Sequence, residues 1–136
     1  MKFQRINPKI FYILPLLAAG CIFFASSIPQ DNVPDMPFEF GDKVVHFIAY
    51  FILGCAILFA LIPNINGKPK KYIAILTVII GAIYAASDEF HQSFVPGRSV
   101  ELFDWLADVA GLMASLLTFS IFERISRYLN SKNNQI

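Results

Sequence analysis

Three separated segments of the chain carry side chains that can transfer protons or bind cations. They contain Asp42, His46 and Tyr50; then Asp88, Glu89 and His91; then Asp104 and Asp108. Imidazole and carboxyl groups are the usual general acids and bases. The candidate catalytic residues are therefore His46, Asp88, Glu89, His91 and Asp104. Such chemistry requires that the segments meet in space, so the elements that carry them come next.

These elements are apolar stretches separated by clusters of charge that alternate in sign. Nine of the eleven Lys and Arg residues fall within 2–9, 68–71 and 124–132, and nine of the ten Asp and Glu residues fall within 31–42 and 88–108. Cytoplasmic loops of membrane proteins carry an excess of Lys and Arg. The pattern predicts a multi-pass protein of the cell membrane with both termini in the cytoplasm. It places the three polar segments on the outer side.

Four apolar stretches are long enough to cross a bilayer, whose core of about 30 Å needs roughly 20 helical residues. We predict an all-α bundle of four transmembrane helices at 10–27, 43–62, 72–91 and 102–122, forming one domain over 1–136. A turn is predicted to begin at Pro63. Short connections predict that consecutive helices are antiparallel neighbours. Because a basic start and small residues also fit a signal peptide, cleavage of the first span is an alternative.

Helical periodicity turns many polar groups toward one face of each span. The faces contain Asp42, His46 and Tyr50 on the second span, Tyr84, Ser87, Asp88 and His91 on the third, and Asp104, Asp108 and Gly111 on the fourth. Glu89 is expected to be turned roughly a quarter circle away from the face of the third span. A charged side chain at the bilayer centre costs about 2.5–3.5 kcal/mol. We therefore expect these faces to form a polar pocket between the second, third and fourth helices, near the outer headgroups. Gly111 indicates a close approach of helices there.

The predicted binding residues of this pocket are Asp42, Lys43, His46, Tyr50, Ser87, Asp88, Glu89, His91, Gln92, Arg98, Asp104 and Asp108. The outer side carries nine acids but only two bases, Lys43 and Arg98. Ion pairs of Arg98 with Asp104, or of Lys43 with Asp88, would serve only to hold the helices together. The surplus of acids favours instead a cation, a protonated carboxyl or a cationic ligand.

Three motifs in order along the chain resemble the signature of the VanZ-like family. They are Ser26-Ser27-Ile28-Pro29, then Asp42-Lys43-Val44-Val45-His46-Phe47, then the run 87–98 followed by 104–111. At Asp108 many members carry Asn, so this chain adds a carboxylate to the predicted pocket. The resemblance implies a small multi-span protein at the outer face of the bacterial membrane. It also implies a link to the cell envelope and to glycopeptide resistance, because the family is named for a teicoplanin-resistance protein.

Two functions fit the predicted pocket. In the first, the protein binds or modulates a membrane lipid or a lipid-linked envelope precursor, with Lys43 and Arg98 on a phosphate. In the second, it is a membrane-embedded enzyme that acts on such a molecule by acid–base chemistry or with Ser87 as nucleophile. A transporter is the third hypothesis, although the inner halves of the spans lack ionisable residues. The basic segments set topology, so no nucleic acid is expected, and the oligomeric state stays open.

No metal or other cofactor is predicted. Asp88 and His91 are three residues apart, a spacing that matches no recognised metal motif. A divalent ion bridged by His91 and carboxylates is the alternative, because it would balance the excess of acids.

Overall fold

The structure is a computed structural model that describes residues 7–34, 38, 40–65 and 69–133, with side chains as far as Ile121. Every regular element in these ranges is helical. A 3-10 helix (Pro8–Tyr12) leads into α1 (Ile13–Ser26), and α2 (Gly41–Asn64), α3 (Lys70–Gln92) and α4 (Leu102–Asn133) follow. Four helical segments are long and apolar enough to span a membrane: Pro8–Ser26, Gly41–Asn64, Lys70–Gln92 and Leu102–Ile121. The predicted all-α class with four such helices is confirmed.

Two helices continue past the ends predicted for their spans. Pro63 lies inside the last turn of α2, and the turn is closed by Ile65, whose N–H donates to the Leu61 carbonyl at 2.9 Å. Proline removes one backbone bond there without ending the helix. α4 runs to Asn133, well past residue 122. The polar sequence after the apolar span contains Glu, Arg and Leu, which favour the helix outside a bilayer as well as inside it.

Part of the charge pattern behind the predicted orientation lies outside the described residues. This applies to Lys2, Arg5, Asp35, Glu39 and Lys68. The side chains of Arg124, Arg127 and Lys132 also lie outside, although the backbone of α4 includes them. The cytoplasmic placement of both termini stays a prediction.

Contacts between helix ends define the arrangement of the bundle. Ser26 at the end of α1 bonds Asp88 near the end of α3. Asn64 at the end of α2 donates to the Pro8 carbonyl near the start of the first span, at 2.8 Å. His46 and Asp108 join the starts of α2 and α4. α1 and α3 therefore run in one direction and α2 and α4 in the other. We call the end where α1 and α3 finish and α2 and α4 begin the polar end.

The apolar core fills the bundle below the polar end. Its buried members are Tyr50, Leu53, Ile57, Leu58, Leu61, Ile73, Ala85 and Leu112. The most extensive helix contact joins α2 to α4, which are not consecutive in the chain. A Cβ on Gly111 would collide with the backbone of Phe47 and Phe51. The close approach predicted at Gly111 is confirmed, and it draws the starts of α2 and α4 together.

Large apolar side chains cover the outside of all four helices. Leu16, Phe59, Ile83 and Leu117, one from each helix in turn, are 71%, 61%, 67% and 66% exposed. Such surfaces are unfavourable in water but match a hydrocarbon environment, where the backbone bonds of a helix are already satisfied. The exterior is therefore that of a bundle surrounded by lipid.

Candidate functional site

An ion cluster around Lys43 joins the starts of α2 and α4. The Lys43 ammonium lies 2.7 Å from an oxygen of Asp42, 2.6 Å from one of Glu101 and 2.7 Å from one of Asp104. The hydrogen bond from Lys43, assisted by one from the Ser99 hydroxyl, lowers the pKa of Glu101, which precedes the fourth span. Three carboxylates share a single cation. The cluster therefore retains a negative surplus.

A second group of ionisable side chains lies deeper, where α2, α3 and α4 meet. His46 Nδ1 is 2.9 Å from Asp108 Oδ1, and Asp108 is fully buried. Glu89 is the member from α3, and its Oε2 accepts the backbone N–H of Glu101 at 3.3 Å. One donor atom from each of His46, Glu89 and Asp108 can be chosen so that all three lie within 4.8 Å of one another. We call these three residues the buried triad.

Several polar atoms in the buried triad and beside it have no hydrogen-bond partner. Glu89 Oε1, Asp108 Oδ2 and the Tyr50 hydroxyl are buried and have no hydrogen bond within the described residues. Buried polar groups in native proteins are nearly always paired, so each exception needs a reason. An ionised carboxylate can accept hydrogen bonds but cannot donate them. The two unpaired oxygens therefore require a hydrogen-bond donor or a cation.

Asp88 lies on the α1 side of the site. Its carboxylate is buried and accepts hydrogen bonds from the Ser26 hydroxyl at 2.7 Å and from the Gln92 amide at 3.3 Å. The ion pair with Lys43, which was the purely structural alternative, does not form. Asp88 faces the end of α1, whereas Lys43 contacts Asp42, Glu101 and Asp104.

His91 is also turned toward α1. Its Nε2 lies 2.9 Å from the Ser27 hydroxyl oxygen, and its ring stacks on Phe23 with the centroids 4.4 Å apart. His91 belongs to neither of the metal-type groups that the described residues form. The histidine that the structure brings to the carboxylates is His46.

Arg98 holds the carboxyl end of α1. Its Nε donates to the Ile28 carbonyl at 3.2 Å, and its Nη2 lies 3.5 Å from the Ala25 carbonyl. The last carbonyls of a helix lack partners within the helix and attract cations. That preference explains why Arg98 does not form the alternative ion pair with Asp104.

Ser87 lies on the exposed surface of α3, apart from both histidines. Its hydroxyl donates to the Tyr84 carbonyl of its own helix at 2.7 Å. His46 contacts Asp108 and His91 contacts Ser27. The structure therefore places no histidine where it would activate Ser87 as a nucleophile.

A cavity of about 830 Å³ opens at the polar end beside these groups. Apolar residues of the spans form part of its wall, among them Ile22, Val45 and Ala49. The predicted residues that line it are Asp42, His46, Gln92, Arg98 and Asp104. His46 thus borders the cavity while its ring contacts buried Asp108. Of the buried triad, His46 lines the cavity, whereas Glu89 and Asp108 lie behind its wall.

The sequence analysis missed the contribution of α1 and of Glu101 to this end. Ser26 and Ser27 bond the side chains of α3, and Glu101 bonds Lys43. A signal for the serines was available, because their motif carries part of the family resemblance. Glu101 lies three residues before Asp104, so helical spacing could have predicted that both reach the same cation.

Four apolar helices with a polar centre recessed below one end define a multi-pass membrane protein. The chain belongs to the VanZ/LLP1 family, whose model matches residues 9–123, so the predicted family is confirmed. An uncharacterized protein of fission yeast, Schizosaccharomyces pombe, is 29% identical over 115 residues, which cover 85% of this chain and 63% of that protein. The chain thus spans less than two thirds of that relative. No solved structure matches the chain.

Proposed function

We propose that the cavity at the polar end binds the headgroup of a membrane lipid or of a lipid-linked envelope precursor. One observation carries the proposal: a cavity of about 830 Å³ has apolar span residues and charged helix-end residues in the same wall. Ligand sites of this kind combine an apolar lining with a few polar groups that fix orientation. A headgroup would lie among the polar groups while its tails stay against the apolar outside of the helices.

The existing hydrogen bonds favour a headgroup that brings hydroxyl or amine donors. Lys43 already contacts three carboxylates, and Arg98 already donates to backbone carbonyls. A phosphate on these two residues, as the sequence predicted, would compete with those bonds. The cavity instead offers an excess of acceptors, including Asp42, Glu101 and Asp104. Carboxylates accept hydrogen bonds from ammonium groups and sugar hydroxyls.

The fungal relative bears on the identity of the lipid. A relative in fission yeast favours a headgroup that fungal and bacterial membranes share over one confined to bacteria. In a bacterial envelope, binding a lipid-linked precursor is the route by which this pocket would influence teicoplanin resistance. We propose headgroup binding as the general function of the pocket, and an effect on teicoplanin resistance as its consequence in a bacterial envelope.

Native mass spectrometry and thermal shifts of the full chain in mild detergent test headgroup binding. We expect added amine- or sugar-bearing lipids to bind and to raise the melting temperature. Ala49→Phe should remove both effects, because Ala49 is part of the cavity wall. Ala86→Phe is the matched control, because Ala86 is exposed on α3. Equal lipid binding by the two variants would refute the proposal.

A second candidate function is catalysis, and it rests on the geometry of His46. A buried carboxylate contacts its Nδ1 at 2.9 Å, while the residue borders the cavity. A carboxylate that orients a histidine is the usual arrangement of a general base. Mass spectrometry of lipids incubated with the protein would detect a product. We expect His46→Gln to abolish turnover and to leave Ala49-dependent binding in place; turnover that persists would exclude this role.

A further inference from the structure

We propose that the buried triad of His46, Glu89 and Asp108 is a binding site for one divalent metal ion of the first transition row, such as Mn²⁺ or Zn²⁺. This inference goes beyond headgroup binding and does not depend on it. It rests on the geometry of the donors, on their unused oxygens and on the charge around them.

The donor atoms are almost as close as a metal ion requires. Metal–ligand bonds of about 2.1 Å place neighbouring donors about 3 Å apart and opposite donors about 4 Å apart. One donor atom from each of the three residues can be chosen so that all lie within 4.8 Å of one another. An ion bound there would replace the hydrogen bond between His46 Nδ1 and Asp108 Oδ1, which are 2.9 Å apart, by bonds to the metal. Because each donor comes from a different helix, the bound ion would also tie α2, α3 and α4 together.

Each of the two carboxylates uses one oxygen in a hydrogen bond and leaves its other oxygen without a partner. Asp108 uses Oδ1 toward His46, and Glu89 uses Oε2 toward the backbone of Glu101. Asp108 Oδ2 and Glu89 Oε1 are buried without a partner, in side chains that are 0% and 5% exposed. Ligands that hydrogen bonds already fix in orientation bind a metal with less loss of freedom.

Tyr50 provides independent evidence that the buried triad binds a ligand. It is 1% exposed, its hydroxyl has no partner within the described residues, and it interacts electrostatically with Asp88 and with two members of the triad, Asp108 and Glu89. A hydroxyl in that position can donate to a metal-bound carboxylate or water. Apolar packing alone gives no reason for a hydroxyl there, because phenylalanine would pack in the same volume without an unpaired group.

The charge balance separates the buried triad from the other acidic group. Asp42, Glu101 and Asp104 also cluster, but the Lys43 ammonium already occupies the position between them at 2.6–2.7 Å. In the part of the chain that the structure describes, neither Lys43 nor Arg98 forms an ion pair with the buried triad. Two buried carboxylates beside a single histidine are costly without further positive charge. A divalent ion supplies that charge.

The donor set indicates the class of ion. Imidazole nitrogen suits Zn²⁺, Fe²⁺ and Ni²⁺, and carboxylate oxygen suits Mn²⁺ and Mg²⁺. One nitrogen with two carboxylates lies between these preferences, which favours Zn²⁺ or Mn²⁺ over an ion that prefers oxygen ligands alone. Three protein ligands leave coordination positions open, as in catalytic rather than structural sites.

Metal binding by the full chain, purified in mild detergent and stripped with a chelator, tests the proposal. Titration calorimetry with MnCl₂ or ZnCl₂ should give one ion per chain, which elemental analysis after desalting checks. Glu89→Gln and Asp108→Asn should weaken binding by more than about tenfold, since even the loss of a group that only hydrogen-bonds to a metal ligand costs that much. Asp31→Asn, an exposed carboxylate outside the cavity, should bind as the unmodified protein does.

Several outcomes would overturn the assignment. These are no ion on the unmodified protein, unchanged binding in Glu89→Gln, and loss of binding in Asp42→Asn, which would move the ion to the exposed cluster. Circular dichroism and gel filtration identify variants that fail to fold. Electron spin resonance of Mn²⁺ on the unmodified protein, grown with ¹⁵N-histidine, needs no variant: nitrogen coupling supports His46 as a ligand, and its absence contradicts the site.

The lipid measurement remains separate from the metal measurement. Headgroup binding is followed through Ala49→Phe with chelator present, and metal binding is followed through Glu89→Gln without lipid. A protein that binds metal but no lipid would refute the proposed function and leave this site standing. The reverse result would refute the site alone.

Discussion

The two halves of the α2–α4 interface contain different kinds of residues: small packed residues in one half and buried ionisable residues in the other. In the half away from the polar end, Gly54 packs against Ser115, and the Ser115 hydroxyl donates to the Leu112 carbonyl at 2.6 Å. Leu112 itself is fully buried. In the half at the polar end, the same two helices carry His46 and Asp108. There, carboxylate oxygens and a hydroxyl stay buried without partners among the residues described.

The two halves differ in whether their buried polar groups have hydrogen-bond partners. The far half satisfies its polar side chains locally, since the hydroxyls of Ser115 and Thr118 donate to carbonyls of their own helix. Small residues such as Gly54 let the two helices approach closely, which favours helix association in a membrane. The polar half keeps charged groups that packing does not need and that hydrogen bonds do not fully satisfy. Proteins tolerate such groups mainly at functional sites. Changes in the far half should therefore cost stability, whereas some changes in the polar half should increase it.

The largest effect is expected at Gly111, on the boundary between the halves. Gly111→Leu should destabilise the fold by about 3 kcal/mol or more, because the new side chain meets the backbone of Phe47 and Phe51, which cannot rotate away. Unfolding in mixed detergent micelles, followed by circular dichroism, measures the loss. Gly20→Leu is the control, since a Cβ there meets nothing within 4 Å. A Gly111 variant as stable as the control would contradict the close approach of α2 and α4.

Leu112→Ala should give the next largest effect. Removing a fully buried side chain leaves a cavity against α2 and Gly81 and should cost about 2–3 kcal/mol in the same unfolding assay. Leu117→Ala lies on the lipid-facing side of the same helix, and its change should stay within about 0.5 kcal/mol. Equal losses in the two variants would mean that the far half is not packed as described.

Glu89→Gln should show the opposite sign. In metal-free protein we expect stability to rise by about 1 kcal/mol, because the change removes a buried charge and gives Asp108 Oδ2 an amide donor. The unfolding assay with chelator measures it, with Asp31→Asn as the neutral reference. A clear loss of stability would show that the Glu89 charge holds the metal-free fold together, and the contrast between the halves would fail.

The smallest effect is a pH dependence at the rim of the polar half. Lys43 lowers the pKa of Glu101 in the folded protein, so this pair stabilises the fold above the ordinary Glu pKa of about 4.3. The contribution should disappear as pH falls through the lowered value. Because Glu101 is largely exposed, the effect is small. Melting temperatures of the unmodified protein and Glu101→Gln should differ near neutral pH and converge in acid; a constant difference would exclude the pair as its source.

The fold could be predicted because the bilayer constrains it strongly. Apolar length determined the four spans, and only the ends differed, as at Pro63, where one lost bond did not stop the helix. Periodicity placed Asp42 with His46 and Asp104 with Asp108 on shared helix faces, because both spacings are fixed within one helix. Gly111 was predictable for the same reason. The structure divides each pair: Asp42 and Asp104 contact Lys43, and His46 contacts Asp108.

The partners across helices could not be predicted in the same way. Which residue faces Asp88 depends on the rotation and depth of α1, and the sequence fixes neither. Arg98 was expected to bind a phosphate or, as the structural alternative, Asp104, but it donates to the carbonyls at the end of α1. Selection of His46 rather than His91 for the carboxylate cluster likewise depends on small rotations of α2 and α3. Whether the predicted residues bind a lipid stays a prediction.

The contacts of α1 set an order of assembly. Ser26, Ser27 and Ile28 bond Asp88, His91 and Arg98, which lie 62, 64 and 70 positions later in the chain. During synthesis, the first helix enters the bilayer long before these partners exist. The contacts of α1 with Asp88, His91 and Arg98 can therefore form only after α3 and the connection that follows it have been translated.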